Sequence, residues 1–255
     1  MPGAGDPIVA MTYAHSGLVS LGNALAERYA VAWIQGPNLV QLCDRVVRDW
    51  QALEGRAPGA PSRLAQTSVR SLVQAMITAR LAGAAATRWF TASVGAPGAA
   101  PTFAFLYPSA KFICLHRCST DMIFSALSAY RWGLAGTVYG FEPFAAMHTG
   151  NPVAALADYW ATHAEQMLDF ERDHPGRCVR VRYEDLAATP DGTTAAVSTF
   201  LGLGEPRAPG PGPAAPGPGG PAVGCGRDIP ADRIPAHVLA RINQVHDSLG
   251  YPAVG

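Results

Sequence analysis

The stretch Lys111-Phe-Ile-Cys-Leu-His-Arg-Cys-Ser-Thr-Asp-Met-Ile-Phe-Ser125 decides the fold. Its first six residues are a short apolar run of the kind that lies buried in a parallel sheet. Arg117 leaves the end of that run and Cys118-Ser-Thr120 turns. Asp121–Tyr130 then carries helical spacing, with Ser119 or Thr120 available as N-cap. Strand, turn and helix in so few residues are the unit of an α/β layer. Asp121 and Ser125 stand one turn apart on that helix. If their face looks back at the strand end, Arg117 and Ser125 can grip one phosphate, arginine as a charged fork and serine as a hydroxyl donor. The alternative is that Arg117 pairs with Asp121 or Glu184.

The same outline recurs upstream. Pro7-Ile-Val-Ala-Met-Thr-Tyr13 reads as a buried strand, Ala14-His-Ser-Gly17 as a small-residue turn and Leu18–Arg28 as a helix. Such a turn can receive an anion on backbone N–H groups at a helix N-terminus, or be an ordinary β–α turn. Val31–Ile34 and Thr87–Thr91 read as further strands, Leu39–Leu53 and Ser62–Leu81 as helices, and Gly95–Pro101 as a loop. Downstream, Val153–Phe170 places Leu156, Trp160, His163, Met167 and Phe170 on one helical stripe. Cys178–Arg182 reads as a strand, and Tyr183-Glu-Asp-Leu186 opens a helix whose dipole Glu184 and Asp185 favour. Strands alternating with helices predict an α/β layer with a mostly parallel sheet. Residues 1–204 form this domain, 205–226 a flexible linker rich in Pro and Gly, and 227–255 a helical tail that docks back through the amphipathic segment Asp232–Leu249.

Composition narrows the function. Of the 255 residues 19 are basic and 19 acidic, which removes the electrostatic reason to expect a nucleic-acid or anionic-membrane partner. Apolar runs such as Phe103–Tyr107 fall far below the ~18–20 residues that span a bilayer. No basic-then-apolar segment opens the chain, so no secretory signal is expected. Cys43, Cys114, Cys118, Cys178 and Cys225 make neither a C-x-x-C pair nor an even disulfide framework. A reduced, cytoplasmic protein without a metal is the expectation. Lys111 is the only lysine, so a Gly-x4-Gly-Lys phosphate loop is excluded. Ser16 is flanked by Ala14 and Leu18, so a Gly-x-Ser-x-Gly nucleophile elbow fails as well.

Taken in order, these segments resemble the sulfotransferase family that uses 3′-phosphoadenosine 5′-phosphosulfate as co-substrate. Ala110–Arg117 with its eight-residue step to Ser125 is similar to the family's 3′-phosphate motif. Arg180-Val-Arg-Tyr-Glu-Asp-Leu186, Pro190, Phe200-Leu-Gly-Leu203 and the tail from Arg233-Ile-Pro to Leu249-Gly-Tyr-Pro252 are similar to bacterial, actinomycete-like members. Pro7–Leu21 is placed as the 5′-phosphosulfate loop would be. The resemblance implies a three-layer, P-loop-like α/β fold and sulfuryl transfer to an alcohol, phenol or amine. By that motif Arg117 and Ser125 would hold the 3′-phosphate, and Tyr183 would lie near the nucleotide. His15, Ser16, Gly17 and the turn amides would hold the 5′-phosphosulfate.

The chain also departs from the family pattern. The family's loop usually carries lysine or arginine where His15 stands and hydroxyl residues where Leu18 and Val19 stand. It usually has a lysine after the third strand, where this chain has Thr91-Ala-Ser93 and, close by, Arg88. A dianionic neighbour raises an imidazole pKa, so His15 replaces the first cation if protonated. His15 is the first choice for the catalytic residue; His148, His163 and Glu27 are the other candidate bases, although a histidine on an apolar stripe, like His163, is more often a core residue. The expected acceptor is a small, partly apolar molecule such as a secondary metabolite. A nucleotide-binding module of the same fold that has lost transfer is the second reading. A nucleotide kinase is the third, opposed by the missing lysine.

Overall fold

The computed structural model describes residues 6–29, 31–57, 59–82, 88–129, 133–134, 138–207 and 229–255. Five strands, β1 (Ile8–Thr12), β2 (Val31–Trp33), β3 (Arg88–Val94), β4 (Lys111–His116) and β5 (Cys178–Arg182), form one sheet in the order β2-β3-β1-β4-β5. Every pairing is parallel. All five residues of the central β1 are buried, which is why it reads as an unbroken apolar run. Its side chains alternate between two cores. Val9 and Met11 join the larger one, Ile8 and Ala10 the smaller.

Helices cover both faces, so the three-layer α/β architecture holds. The smaller core is closed by α1 (Leu18–Arg28), α8 (Tyr183–Ala188) and α9 (Pro190–Leu201) through Leu21, Leu25, Leu186, Val197 and Leu201. The larger core takes residues from α2 (Leu39–Leu53), α3 (Arg63–Leu81), α4 (Ala100–Leu106), α5 (Ser119–Ser128), α6 (Glu142–Met147) and α7 (Pro152–Asp173). It also takes Val238, Ile242, Val245 and Leu249 of α10 (Ala236–Leu249), each burial contributing about 1.5–3 kcal/mol. Arg241 fastens α10 to α7 through Asp158, Thr162 and Glu165.

Several expectations need correction. The Gly95–Pro101 loop is a short 3-10 turn at Pro97–Ala99 leading into α4 at Ala100. Pro101 fits the first helical turn, where its missing N–H has no partner to lose. β3 runs on to Val94 because Ala92, Ser93 and Val94 pair with β1, tertiary pairing overriding weak strand propensity. α5 starts at Ser119 with Cys118 as its N-cap residue, since the Ser119 hydroxyl is engaged elsewhere. Cys118 is disulfide-bonded, whereas Cys43, Cys114 and Cys178 are free thiols. An odd cysteine count does not preclude a single bridge. Residues 208–226 of the expected linker lie outside the described residues. Among the described residues no helix is long and apolar enough to cross a membrane, and no cluster of three metal-ligating side chains occurs.

Candidate functional site

In an open parallel sheet a crevice forms where neighbouring strands send their connections in opposite directions. Here β1 connects toward β2 on one side and β4 toward β5 on the other. The turns after β1 and β4 therefore face each other at the carboxyl edge. The first holds Tyr13–Gly17 and the second Arg117–Cys118.

The β1 turn is built from two left-handed residues, His15 at φ 61° and Gly17 at φ 93°. Histidine tolerates this region better than most side chains. Gly17 has a second reason to lack a side chain, because a methyl there would collide with Cδ2 and Cε2 of Tyr183. The Tyr183 ring thus lies directly on the turn. On its face sits the Arg117 guanidinium, 4.7 Å from the ring centroid. Ser16 is buried, its hydroxyl against that of Thr12, and Thr12 Oγ1 also donates to the Leu115 carbonyl at 2.9 Å.

Arg117 closes the cluster. Its Nη1 donates to the His15 carbonyl at 2.7 Å, and His15 Nδ1 lies 3.1 Å from Ser125 Oγ. His15, Gly17, Arg117, Ser125 and Tyr183 thus form one contiguous group, with Ser16 beside it. Among the described residues Arg117 makes no ion pair with Asp121 or Glu184, so the competing reading of Arg117 as an internal salt-bridge partner does not hold. Among the described residues two buried polar atoms of the group, Arg117 Nε and His15 Nε2, find no hydrogen-bond partner. A buried donor without a partner costs roughly 1–3 kcal/mol, and an anion supplied from outside would satisfy both, given a proton on the imidazole.

The backbone under Arg117 is pinned on both polar groups. Its N–H donates to the Tyr13 hydroxyl at 2.7 Å, and its carbonyl accepts from that hydroxyl at 2.7 Å and from Trp160 Nε1 at 2.9 Å. Burial pushes the Tyr13 hydroxyl far above the usual phenol range, keeping its proton in place for this bond. Tyr159 does similar work across the cleft, its hydroxyl accepting from Ala14 N–H at 3.2 Å and donating to the Tyr139 carbonyl at 3.1 Å. The chain at Tyr139 passes so close to Gly95 that a side chain there would meet the Tyr139 carbonyl.

Electrostatics change the expectation for His15. Burial first, and then the Arg117 guanidinium, hold its imidazole below the ordinary value. Without an anion it is neutral at pH 7 and not the standing cation that its position suggested. The other candidate bases are engaged or remote. His148 Nε2 bonds Asp158, the carboxylate that Arg241 also holds. Both nitrogens of His163 face backbone carbonyls, those of Tyr159 and Gly95, so it is a core residue. Glu27 is exposed in the last turn of α1. Arg88, the cation nearest in sequence to the missing lysine, begins β3 and donates to the Asp6 and Leu201 carbonyls. A seven-residue strand places it about 20 Å from the carboxyl edge. Lys111 likewise begins β4 and donates to the Gly176 carbonyl.

The model of the sulfotransferase family matches residues 26–206, more than half of the chain. The chain belongs to that family. The matched span holds Arg117, Ser125 and Tyr183 and begins after the His15–Gly17 turn. The sulfotransferase domain of the curacin biosynthetic pathway is similar in fold, at TM-score 0.57 and 14% identity, over 98% of this chain and 100% of that one. The sulfotransferase domain of the Synechococcus PCC 7002 olefin synthase aligns at TM-score 0.55 and 21% identity over 98% and 96% of the two chains. A sulfotransferase of Alicyclobacillus acidocaldarius aligns at 0.57 and 15% over 98% and 97%. No curated protein matches the chain.

Around this sulfotransferase's cluster stand residues that the sequence did not single out. Tyr13, Trp160 and Tyr159 hold the turns from behind. Glu184, read as a helix-dipole residue or as a partner of Arg117, instead accepts from Cys118 N–H at 2.9 Å and from the Tyr251 hydroxyl at 2.8 Å.

Proposed function

We propose that this sulfotransferase moves a sulfuryl group from 3′-phosphoadenosine 5′-phosphosulfate to a hydroxyl of a small molecule. The observation that carries the reading is the meeting of Arg117 and Ser125 on His15, over a turn that Tyr183 and Gly17 shape together. In this reading Arg117 and Ser125 take the 3′-phosphate, Arg117 through its partnerless Nε and Ser125 through a hydroxyl that leaves His15. Ser16, Gly17 and the turn amides take the 5′-phosphosulfate, and the Tyr183 ring flanks the nucleotide. Sulfuryl transfer, like phosphoryl transfer, calls for positioning and charge neutralisation more than covalent help from the protein.

His15 is the catalytic residue of this proposal. Its depressed pKa leaves Nε2 or Nδ1 free to take the proton that the acceptor hydroxyl must lose. No metal is needed for these steps. The acceptor is a partly apolar secondary metabolite; the curacin and olefin-synthase provenance of two structurally similar domains supports a place in natural-product tailoring.

A second reading, nucleotide binding without transfer, is favoured by one feature. Val19, largely exposed in the first turn of α1, stands beside Leu18 where the family pattern has hydroxyls. Calorimetric titration with 3′-phosphoadenosine 5′-phosphate against adenosine 5′-monophosphate tests the shared site. Binding that depends on the 3′-phosphate supports both readings; binding of neither nucleotide overturns both. Transfer of labelled sulfate to a panel of phenols and alcohols then decides between them.

A further inference from the structure

Three consecutive residues carry the Arg117 guanidinium on a fixed backbone. Arg117 is held by Tyr13 and Trp160, Cys118 N–H by Glu184 Oε1, and Ser119 Oγ by His246 Nε2 at 2.9 Å. One of these restraints, His246, comes from the far end of the chain, and Glu184 is itself held from there. His246 lies in α10, and its Nδ1 donates to the Pro252 carbonyl at 2.6 Å, which leaves Nε2 as the acceptor for Ser119. Tyr251 follows α10 and donates its hydroxyl to Glu184 Oε2. The Arg182 guanidinium, 4.6 Å over the Tyr251 ring, fixes that ring in turn.

The position of Glu184 makes this arrangement consequential. Its backbone adjoins Tyr183, whose ring lies under the Arg117 guanidinium, and its carboxylate already reaches the residue after Arg117. An arginine and a carboxylate within reach of one another readily form a bidentate pair. Among the described residues they do not pair here: one Glu184 oxygen accepts from Cys118 N–H and the other from the Tyr251 hydroxyl. We infer that Tyr251 is a positioning residue that holds Glu184 away from Arg117 and so leaves the guanidinium open to a phosphate. The C-terminal segment thereby sets the anion affinity of a site it does not enter. This rests on the assignment of Arg117 to the 3′-phosphate.

The test compares 3′-phosphoadenosine 5′-phosphate with adenosine 5′-monophosphate by calorimetry in the full chain, the Tyr251→Phe variant and the Tyr251→Phe/Glu184→Gln double variant. Removing the hydroxyl frees Glu184 to compete, so the preference for the 3′-phosphorylated nucleotide should fall about three- to tenfold. In the double variant the amide carbonyl still accepts from Cys118 N–H but carries no charge, and the preference should return. A merely structural tyrosine would weaken both nucleotides alike and would not be rescued. Unchanged preference in Tyr251→Phe, equal loss for both nucleotides, or failure of the double variant to recover each overturns the inference. If the unmodified chain shows no preference at all, the 3′-phosphate assignment itself has failed, and that is visible before any variant is made.

Discussion

The Tyr183 ring occupies the volume in which a Gly17 side chain would sit, although the two residues are separated by most of the chain. The turn after β1 is thus shaped from outside as well as by its own dihedral angles. Gly17→Ala adds a methyl both at positive φ and against the ring. Backbone strain of this kind costs on the order of 1–3 kcal/mol. We expect a lower thermal midpoint and weaker nucleotide binding, and Gly17→Ala/Tyr183→Ala should recover part of the stability but not the binding. A Gly17→Ala variant with an unchanged midpoint would show that the ring moves aside freely.

Arg117→Ala removes a charged fork while the backbone restraints from Tyr13 and Trp160 remain. Loss of a charge-assisted hydrogen bond is worth about 1.5–3 kcal/mol, or roughly tenfold to a hundredfold in Kd for the 3′-phosphorylated nucleotide. Calorimetry reads this directly. Equal affinity in the variant would mean that the guanidinium serves the fold and not the ligand.

His15 separates binding from chemistry. Asparagine adopts left-handed backbone readily, so His15→Asn keeps the turn while removing the imidazole. Nucleotide affinity should stay within about threefold, whereas transfer should fall about a hundredfold or more, the usual contribution of a general base. Unchanged turnover would end the catalytic role.

Acid should destabilise the fold ahead of any carboxylate titration. Burial is the first cause holding His15, His116, His163 and His246 below the ordinary imidazole value of 6.5. A lowered folded-state pKa means that the unfolded chain binds the proton more readily. Stability is therefore fully present above pH 6.5 and declines as pH falls from there through the folded-state values. Urea midpoints measured between pH 7.5 and 5 should decrease steadily, and His246→Gln should flatten the slope. A midpoint constant across that range would contradict the burial of these rings.

The parts of the molecule that follow local periodicity were legible in the sequence. The runs Leu18–Arg28, Leu39–Leu53, Lys111–His116 and Cys178–Arg182 coincide with elements of the same bounds. The Arg117 to Ser125 step joins the strand end to the second turn of α5, and the two residues meet on His15. What escaped depends on contacts between distant segments. That Ala92 and Ser93 belong to β3 follows from their pairing with Ala10 and Met11, and nothing in their own propensities says so. Arg88 looked close to the site because it is a few residues from Ser93, yet a strand separates sequence neighbours by its full length. His246 had only the amphipathic pattern of its helix to recommend it and Tyr251 only its place in the tail Leu249-Gly-Tyr-Pro252, and neither speaks of what is docked upon.

The location of the lone lysine has a practical side. Lys111 begins β4, at the sheet edge away from the Arg117 turn, with its ammonium 4.9 Å from the Phe200 ring centroid. Apart from the N-terminus it is the only amine available to acylating reagents. A dye, a biotin or a resin linked there would stand a sheet's depth away from His15, so attachment at Lys111 leaves the cleft facing solution.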